Sequence, residues 1–367
     1  MNTEQQFVPY TKEVEQIQPG EADILRELDE RFVHVQRHVV EKEGVARRAT
    51  HAKPTGLLKG RLVVGENLPA ELAQGMFAQR GKEYEVLVRL SQGPSEYLSD
   101  KASGQRGFSI KVLGVDGARV SGSIETTTQD WVFGVHDTSF TDATAKDFLS
   151  GFKKVAGLST WMPEAAIIAG SRIARVTEDV LETVSSGSAH LRFFGKKPAH
   201  PLSDRYFSQA AVRYGCYVGK LGAYPSDETL ALIGNPDVDT KDDDVYQHVL
   251  RAFLSEHEAV FQIRVQLCTD LKTMPIEDAA AVWPEENNPY RTVAQLILPK
   301  QDPMTPERIA YFEERLAFNP VHSLEEHRAL GSIMRARAHV YLRTQEFRQK
   351  TNKVAPAEPR SLSEVPD

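Results

Sequence analysis

One helical stretch near the end of the chain, residues 335–348, constrains the rest of the sequence more than any other feature. On a helix that turns by about 100° per residue, Arg337, Tyr341 and Arg348 fall within a sector of about 60°. Two guanidinium groups therefore flank one phenol on a single face, and a fixed positive charge one turn away favours the phenolate. A phenolate is a hard anionic donor, so Tyr341 is a candidate metal ligand. The alternative interpretation is a basic helix that carries a half-buried tyrosine.

Composition narrows the class of protein. The chain has 367 residues, enough for one large domain or two ordinary ones. Its 41% of hydrophobic and 26% of charged residues are ordinary for a globular protein. The net charge of −7 and the scattered lysines and arginines argue against a nucleic-acid partner. The two cysteines provide neither a disulfide framework nor a zinc site.

Targeting and membrane signals are absent from the sequence. Residues 1–20 contain no apolar signal-peptide core. No run of about 18 apolar residues occurs. We therefore expect a cytoplasmic protein without a stable membrane anchor.

Apolar spacing predicts an antiparallel α+β arrangement, because the strands alternate with loops and a few long helices rather than in a regular strand–helix rhythm. Helices are predicted at residues 21–43, 143–154, 164–184, 244–254 and 335–348, and strands at 60–64, 84–90, 106–114, 212–220, 259–270 and 290–299. Residues 1–20 are expected to be a flexible arm and residues 21–351 a single domain. Residues 352–367, rich in Pro, Ser and Glu, are expected to be a disordered tail.

Two further motifs carry candidate site residues: a loop before the first predicted strand, and the second predicted strand itself. The loop at residues 47–56 carries His51, which by itself is an ordinary loop histidine. The strand at residues 84–91 carries Arg89 and Ser91. By itself it is a strand with one arginine whose charged head reaches solvent.

Together these motifs resemble the haem catalases. Arg-x-x-x-Tyr followed seven residues later by Arg is similar to their proximal helix, and residues 318–328 resemble the small catalase-related, peroxidase-like branch of that superfamily. In that family the distal histidine follows an arginine by three residues and precedes Ala-Lys, as His51 follows Arg48 here. The resemblance extends from about residue 45 to 350. It implies a catalase-like antiparallel β-barrel with attached helices, without the C-terminal flavodoxin-like domain of large catalases.

The resemblance also implies a cofactor and roles for individual residues. Haem b, iron protoporphyrin IX, would be held through iron by Tyr341, with Arg337 beside it. His51 would be the distal acid–base, its tautomer fixed by a hydrogen bond between its far nitrogen and Ser91. Arg48, Arg89 and Arg348 would contact the haem propionates, and Phe148 would lie over the porphyrin.

Two departures from the family pattern bear on the activity. The family places a distal asparagine near residues 129–137, but Gly134 and Val135 stand at the candidate positions, so its hydrogen bond is missing or His136 supplies it. Thr50 precedes the distal histidine where true catalases usually carry valine, and its hydroxyl can restrain His51. By carrying a threonine at this position, the sequence resembles relatives that handle organic hydroperoxides.

The sequence therefore predicts a haem peroxidase that reduces organic or fatty-acid hydroperoxides through an oxoferryl intermediate, with weak catalase activity. Its partners would be a small-molecule peroxide and an organic reductant. The alternatives are a lipid hydroperoxide isomerase or dehydratase resembling the allene oxide synthases, a true catalase, and a non-catalytic haem carrier or sensor. The oligomeric state is left open between a homodimer and a homotetramer.

Overall fold

Antiparallel strands form the centre of the molecule. The computed structural model describes residues 6–102, 104–121, 127–135, 137–159 and 197–367. Its strands are β1 (Lys53–Val64), β2 (Glu83–Gln92), β3 (Arg106–Val112), β4 (Gln129–Val135), β5 (Tyr206–Phe207), β6 (Val212–Tyr214), β7 (Tyr217–Pro225), β8 (Ala259–Leu267) and β9 (Arg291–Leu298). Pairing runs through β1, β2, β3, β4, β5, β7, β8 and β9, and β9 returns to β1. Eight strands therefore close into a barrel, which confirms the predicted architecture, while β6 extends β7 as a hairpin.

The interior of the barrel is the main apolar core. Successive side chains of a strand point to opposite faces. On β2, Val88 and Leu90 belong to this core, whereas Arg89 and Ser91 point to the outer face. The neighbouring strand β3 repeats the alternation, with Phe108 inside. The outer faces of β2, β3 and β4 are therefore the surface against which the helices and loops pack.

Helices cover the outside of the barrel. They are α1 (Glu21–Glu43), α2 (Ala145–Ser159), α3 (Asp227–Ile233), α4 (Val245–Glu256), α5 (Pro306–Ile309) and α6 (Ser332–Asn352), with a π-helical turn at Ala310–Arg315. Short 3-10 turns occur at Lys12–Val14, Gly75–Ala78, Pro201–Ser203, Glu325–His327 and Leu362–Glu364. Helix α6 packs on α1, with Ala336 and Val340 against Leu28 and Phe32. None of the helices in the described ranges is long and apolar enough to cross a bilayer.

The boundaries of several elements differ from the sequence-based expectation. Helix α1 spans the residues predicted for it, and it ends at Gly44, whose φ of 74° suits a helix C-terminus. The strand predicted at residues 212–220 is instead a hairpin, because Gly215 turns the chain with a φ of 62°. Strand β4 was not among the predicted strands. The helix predicted at residues 164–184 lies outside the described residues.

The N-terminal arm is not loose where the structure describes it. Val8 and Tyr10 donate backbone hydrogen bonds of 2.8 and 2.7 Å to the carbonyls of Cys268, just after β8, and Cys216, in the turn between β6 and β7. Val14 is buried. Composition did not reveal this anchoring, because a few apolar residues in a polar segment suffice for it.

The C-terminal tail is also folded against the barrel, so the expectation of disorder is wrong. Val365 is only 4% exposed and packs in an apolar cluster on the outer side of the barrel. Glu358 reaches the fully buried Lys111, with Oε2 3.1 Å from Nζ. A second ion pair joins Asp367 Oδ1 to Lys59 Nζ on β1 at 2.6 Å, and Ala357 is buried in the same apolar cluster as Val365. These contacts hold a segment that is otherwise rich in proline, serine and glutamate.

Candidate active site

The ring of His51 lies on the outer face of the barrel, over a glycine. Ser91 of β2 and Gly107 of β3 are directly paired. A Cβ atom at Gly107 would lie 3.0 Å from Ser91 Oγ and 3.1 Å from His51 Nδ1, so the glycine leaves the space that the imidazole occupies. His51 has a φ of 49°, a conformation that costs a non-glycine residue about 1–2 kcal/mol. Arg89 holds this turn, because its Nη1 donates to the His51 carbonyl at 3.0 Å.

The surroundings of His51 keep its imidazole neutral. Burial lowers its pKa to about 4, and the positive charges of Arg89 and Arg337 act in the same direction. Its Nδ1 is buried without a hydrogen-bond partner among the described residues. At neutral pH the ring is therefore a proton acceptor rather than a cation.

Two contacts that the sequence predicts at this histidine are absent from the described structure. Ser91 Oγ and His51 Nδ1 lie beside the same point above Gly107, but they do not have hydrogen-bond geometry. The hydroxyl of Thr50 makes no hydrogen bond within the described ranges. The backbone turn that Arg89 holds positions the ring instead.

The loop that carries His51 is fixed at both ends. At its start, the side-chain amide of Asn352, the last residue of α6, accepts from the Ala46 N–H at 2.9 Å and donates to the Ala46 carbonyl at 3.0 Å. At its end, the buried Lys53 Nζ lies 2.8 Å from Asp100 Oδ1. The end of the last long helix therefore anchors the start of the loop that carries His51.

Tyr341 and Arg337 face the same side of the barrel as His51. Tyr341 is half-buried on α6, and the guanidinium carbon of Arg337 lies 5.7 Å from the centre of its ring. Arg337 Nη2 donates to the Val132 carbonyl on β4 at 2.8 Å. Val132 is paired with Ser109, two residues from Gly107 along β3. The helix thus places a phenol and its arginine beside the strand pair over which the imidazole lies.

Three arginines that the resemblance assigns to the haem propionates converge on Glu313, two of them on its carboxylate and Arg348 on the backbone. Arg89 forms a bidentate ion pair with it, Nε to Oε1 at 2.7 Å and Nη2 to Oε2 at 2.8 Å. Arg48 Nε lies 3.5 Å from Oε2. Arg348 donates to backbone carbonyls of the same segment, including that of Glu314 at 2.8 Å. We call these four residues, Arg48, Arg89, Arg348 and Glu313, the arginine cluster.

The arginine cluster carries more positive than negative charge. Three guanidiniums and one carboxylate give a net charge of +2. Burial lowers the pKa of Arg348 to about 10, a fall that Glu313 opposes and Arg89 enhances. Burial raises the pKa of Glu313, but the charges of Arg48 and Arg89 outweigh it and hold this pKa at about 2. Since buried charges are stable only when they are paired, the cluster is suited to an anionic ligand with two negative charges.

The turn that brings Glu313 to the arginines follows α5. Thr305 caps this helix, its Oγ1 accepting from the Arg308 N–H at 3.3 Å, and Pro306 begins it. The chain continues as the π-helical turn, and its carbonyls become acceptors for Arg348. Sequence reasoning missed Glu313, because no local spacing links it to arginines from three other segments.

Phe148, the last predicted site residue that the structure describes, is not joined to this constellation. Phe148 lies on α2, and its ring is 6.2 Å from Phe32, 5.7 Å from Phe140 and 6.2 Å from Phe152, centre to centre. It belongs to an aromatic cluster between α1 and α2, and its place over a porphyrin stays a prediction. His136 lies outside the described residues.

Comparison with known proteins identifies the fold. No protein-family model matches the sequence, and no curated protein matches it. Solved structures do match. A fungal catalase is 19% identical with a TM-score of 0.60, covering 85% of this chain and 61% of the catalase. Catalase A of Saccharomyces cerevisiae is 17% identical with a TM-score of 0.59, covering 86% and 64%.

A bacterial catalase gives the same result, at 17% identity and a TM-score of 0.59, covering 85% of this chain and 60% of the catalase. The chain therefore spans about three fifths of the length of the catalases that it matches. At this level of identity the likeness concerns the fold. The chain has a catalase-like fold, a closed antiparallel barrel with its helices on the outside.

Proposed function

We propose that this chain is a haem-dependent peroxidase that reduces organic or fatty-acid hydroperoxides and has weak catalase activity. One observation carries the proposal. A neutral, buried imidazole and an arginine-flanked phenol, from opposite ends of the chain, lie on one outer face of a catalase-like barrel.

The residues present fit a haem group in three respects. Tyr341 offers a phenol oxygen as a hard donor, and the guanidinium carbon of Arg337 lies 5.7 Å from the centre of its ring. His51 offers a buried ring nitrogen without a partner in the described part of the chain. The arginine cluster offers a charge of +2, which matches the two carboxylates of a protoporphyrin. Bound haem would supply the redox-active iron at which a peroxide O–O bond breaks.

The chain's own contribution to the reaction is proton transfer. Because its pKa is about 4, His51 is unprotonated at neutral pH and can accept the proton of a hydroperoxide. It can return that proton to the oxygen that leaves. The loop anchors at Asn352 and Lys53 keep the ring in place during both transfers.

The preference for organic hydroperoxides rests on the two departures from the catalase pattern. Thr50 precedes the distal histidine, and β4 carries Gly134 and Val135 where an asparagine is expected. Both changes alter the groups beside His51 and leave its proton chemistry in place. They support a site that accepts a substituted peroxide.

An optical spectrum of the haem-loaded protein, followed by two assays, tests the proposal. We expect cumene hydroperoxide to be consumed in the presence of an organic reductant, with slow oxygen evolution from hydrogen peroxide. Rapid oxygen evolution without consumption of cumene hydroperoxide would show a true catalase. Conversion of a lipid hydroperoxide without any reductant would show an isomerase.

The ligand assignment is tested by three variants. Tyr341→Phe should abolish stable haem incorporation, whereas Tyr217→Phe, a control at a half-buried tyrosine on β7, should not. His51→Ala should keep haem but slow the reaction with peroxide by about 100-fold or more. Haem retained with an unchanged spectrum in Tyr341→Phe would contradict the axial role.

A further inference from the structure

Gln209 brings a second polar side chain next to His51. Gly134 of β4 is paired directly with Gly107 of β3. A Cβ atom at Gly134 would lie 2.5 Å from Gln209 Oε1, so the amide fills the space above Gly134 as the imidazole fills that above Gly107. Side chains on directly paired residues are about 5 Å apart. The amide and the imidazole are therefore neighbours on the outer face of the barrel.

The chain is bent at Gln209 to place its side chain there. Its φ is 61°, in the left-handed region, where a residue other than glycine is strained. Ser208 makes the bend possible. Its N–H continues the strand pairing by donating to the Leu221 carbonyl at 2.8 Å, while its Oγ accepts from the Leu221 N–H at 3.1 Å and donates to the Ala210 carbonyl at 2.9 Å. Backbone strain of this kind concentrates at ligand sites.

The Gln209 amide makes no hydrogen bond with any described residue, although the residue as a whole is only 7% exposed. The neighbouring His51 Nδ1 is fully buried and also lacks a hydrogen-bond partner among the described residues. Buried polar groups are normally satisfied by protein or by ordered water. The two groups do not bond each other, since His51 Nδ1 has no partner among the described residues. Because they lie above two directly paired strand residues, one small molecule can bridge them.

We propose that Gln209 and His51 together bind one small oxygen-bearing ligand, which is water in the resting protein and the peroxide group during turnover. Gln209 supplies an amide N–H donor and a carbonyl acceptor, and His51 supplies an unprotonated ring nitrogen. Gln209 is thus a ligand-contacting residue contributed by the bend after β5. The peroxide part of this inference rests on the proposed function.

Cyanide binding to the haem-loaded protein, followed by the haem absorption spectrum, tests the inference. We expect Gln209→Leu to bind cyanide about tenfold more weakly, because one hydrogen bond to the ligand is lost. The KM for cumene hydroperoxide should rise by a similar factor while kcat changes little, as for a contact made in ground and transition states alike. Gln295→Leu removes an exposed amide on β9 and should leave both quantities unchanged.

Stability separates a role in ligand binding from a purely structural one. Gln209→Gly removes the amide and also the strain of a positive φ, so it should raise the urea midpoint and still weaken cyanide binding. Unchanged cyanide affinity in Gln209→Leu and Gln209→Gly, with normal haem uptake, would overturn this inference alone. A wild-type protein that takes up no haem would overturn the proposed function and this inference together.

Discussion

Replacing Glu313 with glutamine tests the electrostatics of the arginine cluster in the haem-free protein. The substitution keeps the shape of the side chain but removes the carboxylate that faces Arg48 and Arg89. The Arg89 side chain is only 3% exposed and that of Glu313 only 9%, so water cannot replace the lost partner. We expect Glu313→Gln to lower the free energy of unfolding.

The magnitude follows from two independent estimates. Removing one partner of a buried ion pair costs about 3–5 kcal/mol. The pKa of Glu313 is held at about 2 instead of 4.5. At about 1.4 kcal/mol per pKa unit, that lowering corresponds to roughly 3 kcal/mol. We therefore expect a loss of about 3 kcal/mol in urea unfolding at neutral pH.

The neighbouring residue provides a matched control. Glu314 is exposed, so Glu314→Gln should change the free energy of unfolding by less than about 0.5 kcal/mol. If Glu313→Gln cost less than about 1 kcal/mol, or no more than the control, the cluster would not depend on this carboxylate and the charge argument would fail.

The pH dependence of the Glu313→Gln effect has a definite sign. The folded-state pKa of Glu313 lies below the unfolded value, so its stabilisation is complete above about pH 4.5 and is lost as the pH falls towards 2. The difference between wild type and Glu313→Gln should therefore shrink on acidification below pH 4.5. A difference that grew in that range would contradict the assignment.

Four further predictions concern the scaffold around the site. Asp130→Asn removes the nearer of the two carboxylates that pair with the fully buried Lys111, at 2.9 Å against 3.1 Å for Glu358, and should cost about 3–5 kcal/mol in urea unfolding. Asp23→Asn, in an exposed pair, should cost less than about 1 kcal/mol. His51, His200 and His327 each have a pKa lowered to about 4 by burial, so the unfolded chain binds more protons between pH 6.5 and 4. Stability measured against pH should fall on acidification through that window by up to about 4 kcal/mol per pH unit, and a flat profile would refute it. Gly107→Ala would bring Cβ to 3.1 Å from His51 Nδ1 and should slow the peroxide reaction of the haem-loaded protein about tenfold to 100-fold. Deleting residues 353–367 removes the buried Val365 and the Glu358 partner of Lys111, and should lower the urea-unfolding free energy by about 2 kcal/mol or more; no change would mean that the tail contributes nothing.

The sequence by itself determined the features that depend on local periodicity. Apolar spacing of 3 and 4 residues gave α1 at its observed bounds, and it placed Arg337, Tyr341 and Arg348 on one face of α6. Alternation of side chains gave strand β2, on which Arg89 and Ser91 share one face; the structure showed that this face is the outer one. These features could be predicted because helices and strands repeat over a few residues, and the repeat is visible in any single segment.

Only the tertiary structure decided which distant residues meet. Glu313 lies among three arginines because the turn after α5 packs against the His51 loop and α6. Gln209 lies beside His51 because Gly134 pairs with Gly107 across two strands. Contacts of this kind join segments far apart in the chain, so no local pattern records them. They exist because buried charges and amides must find partners within the folded molecule or in a ligand that it binds.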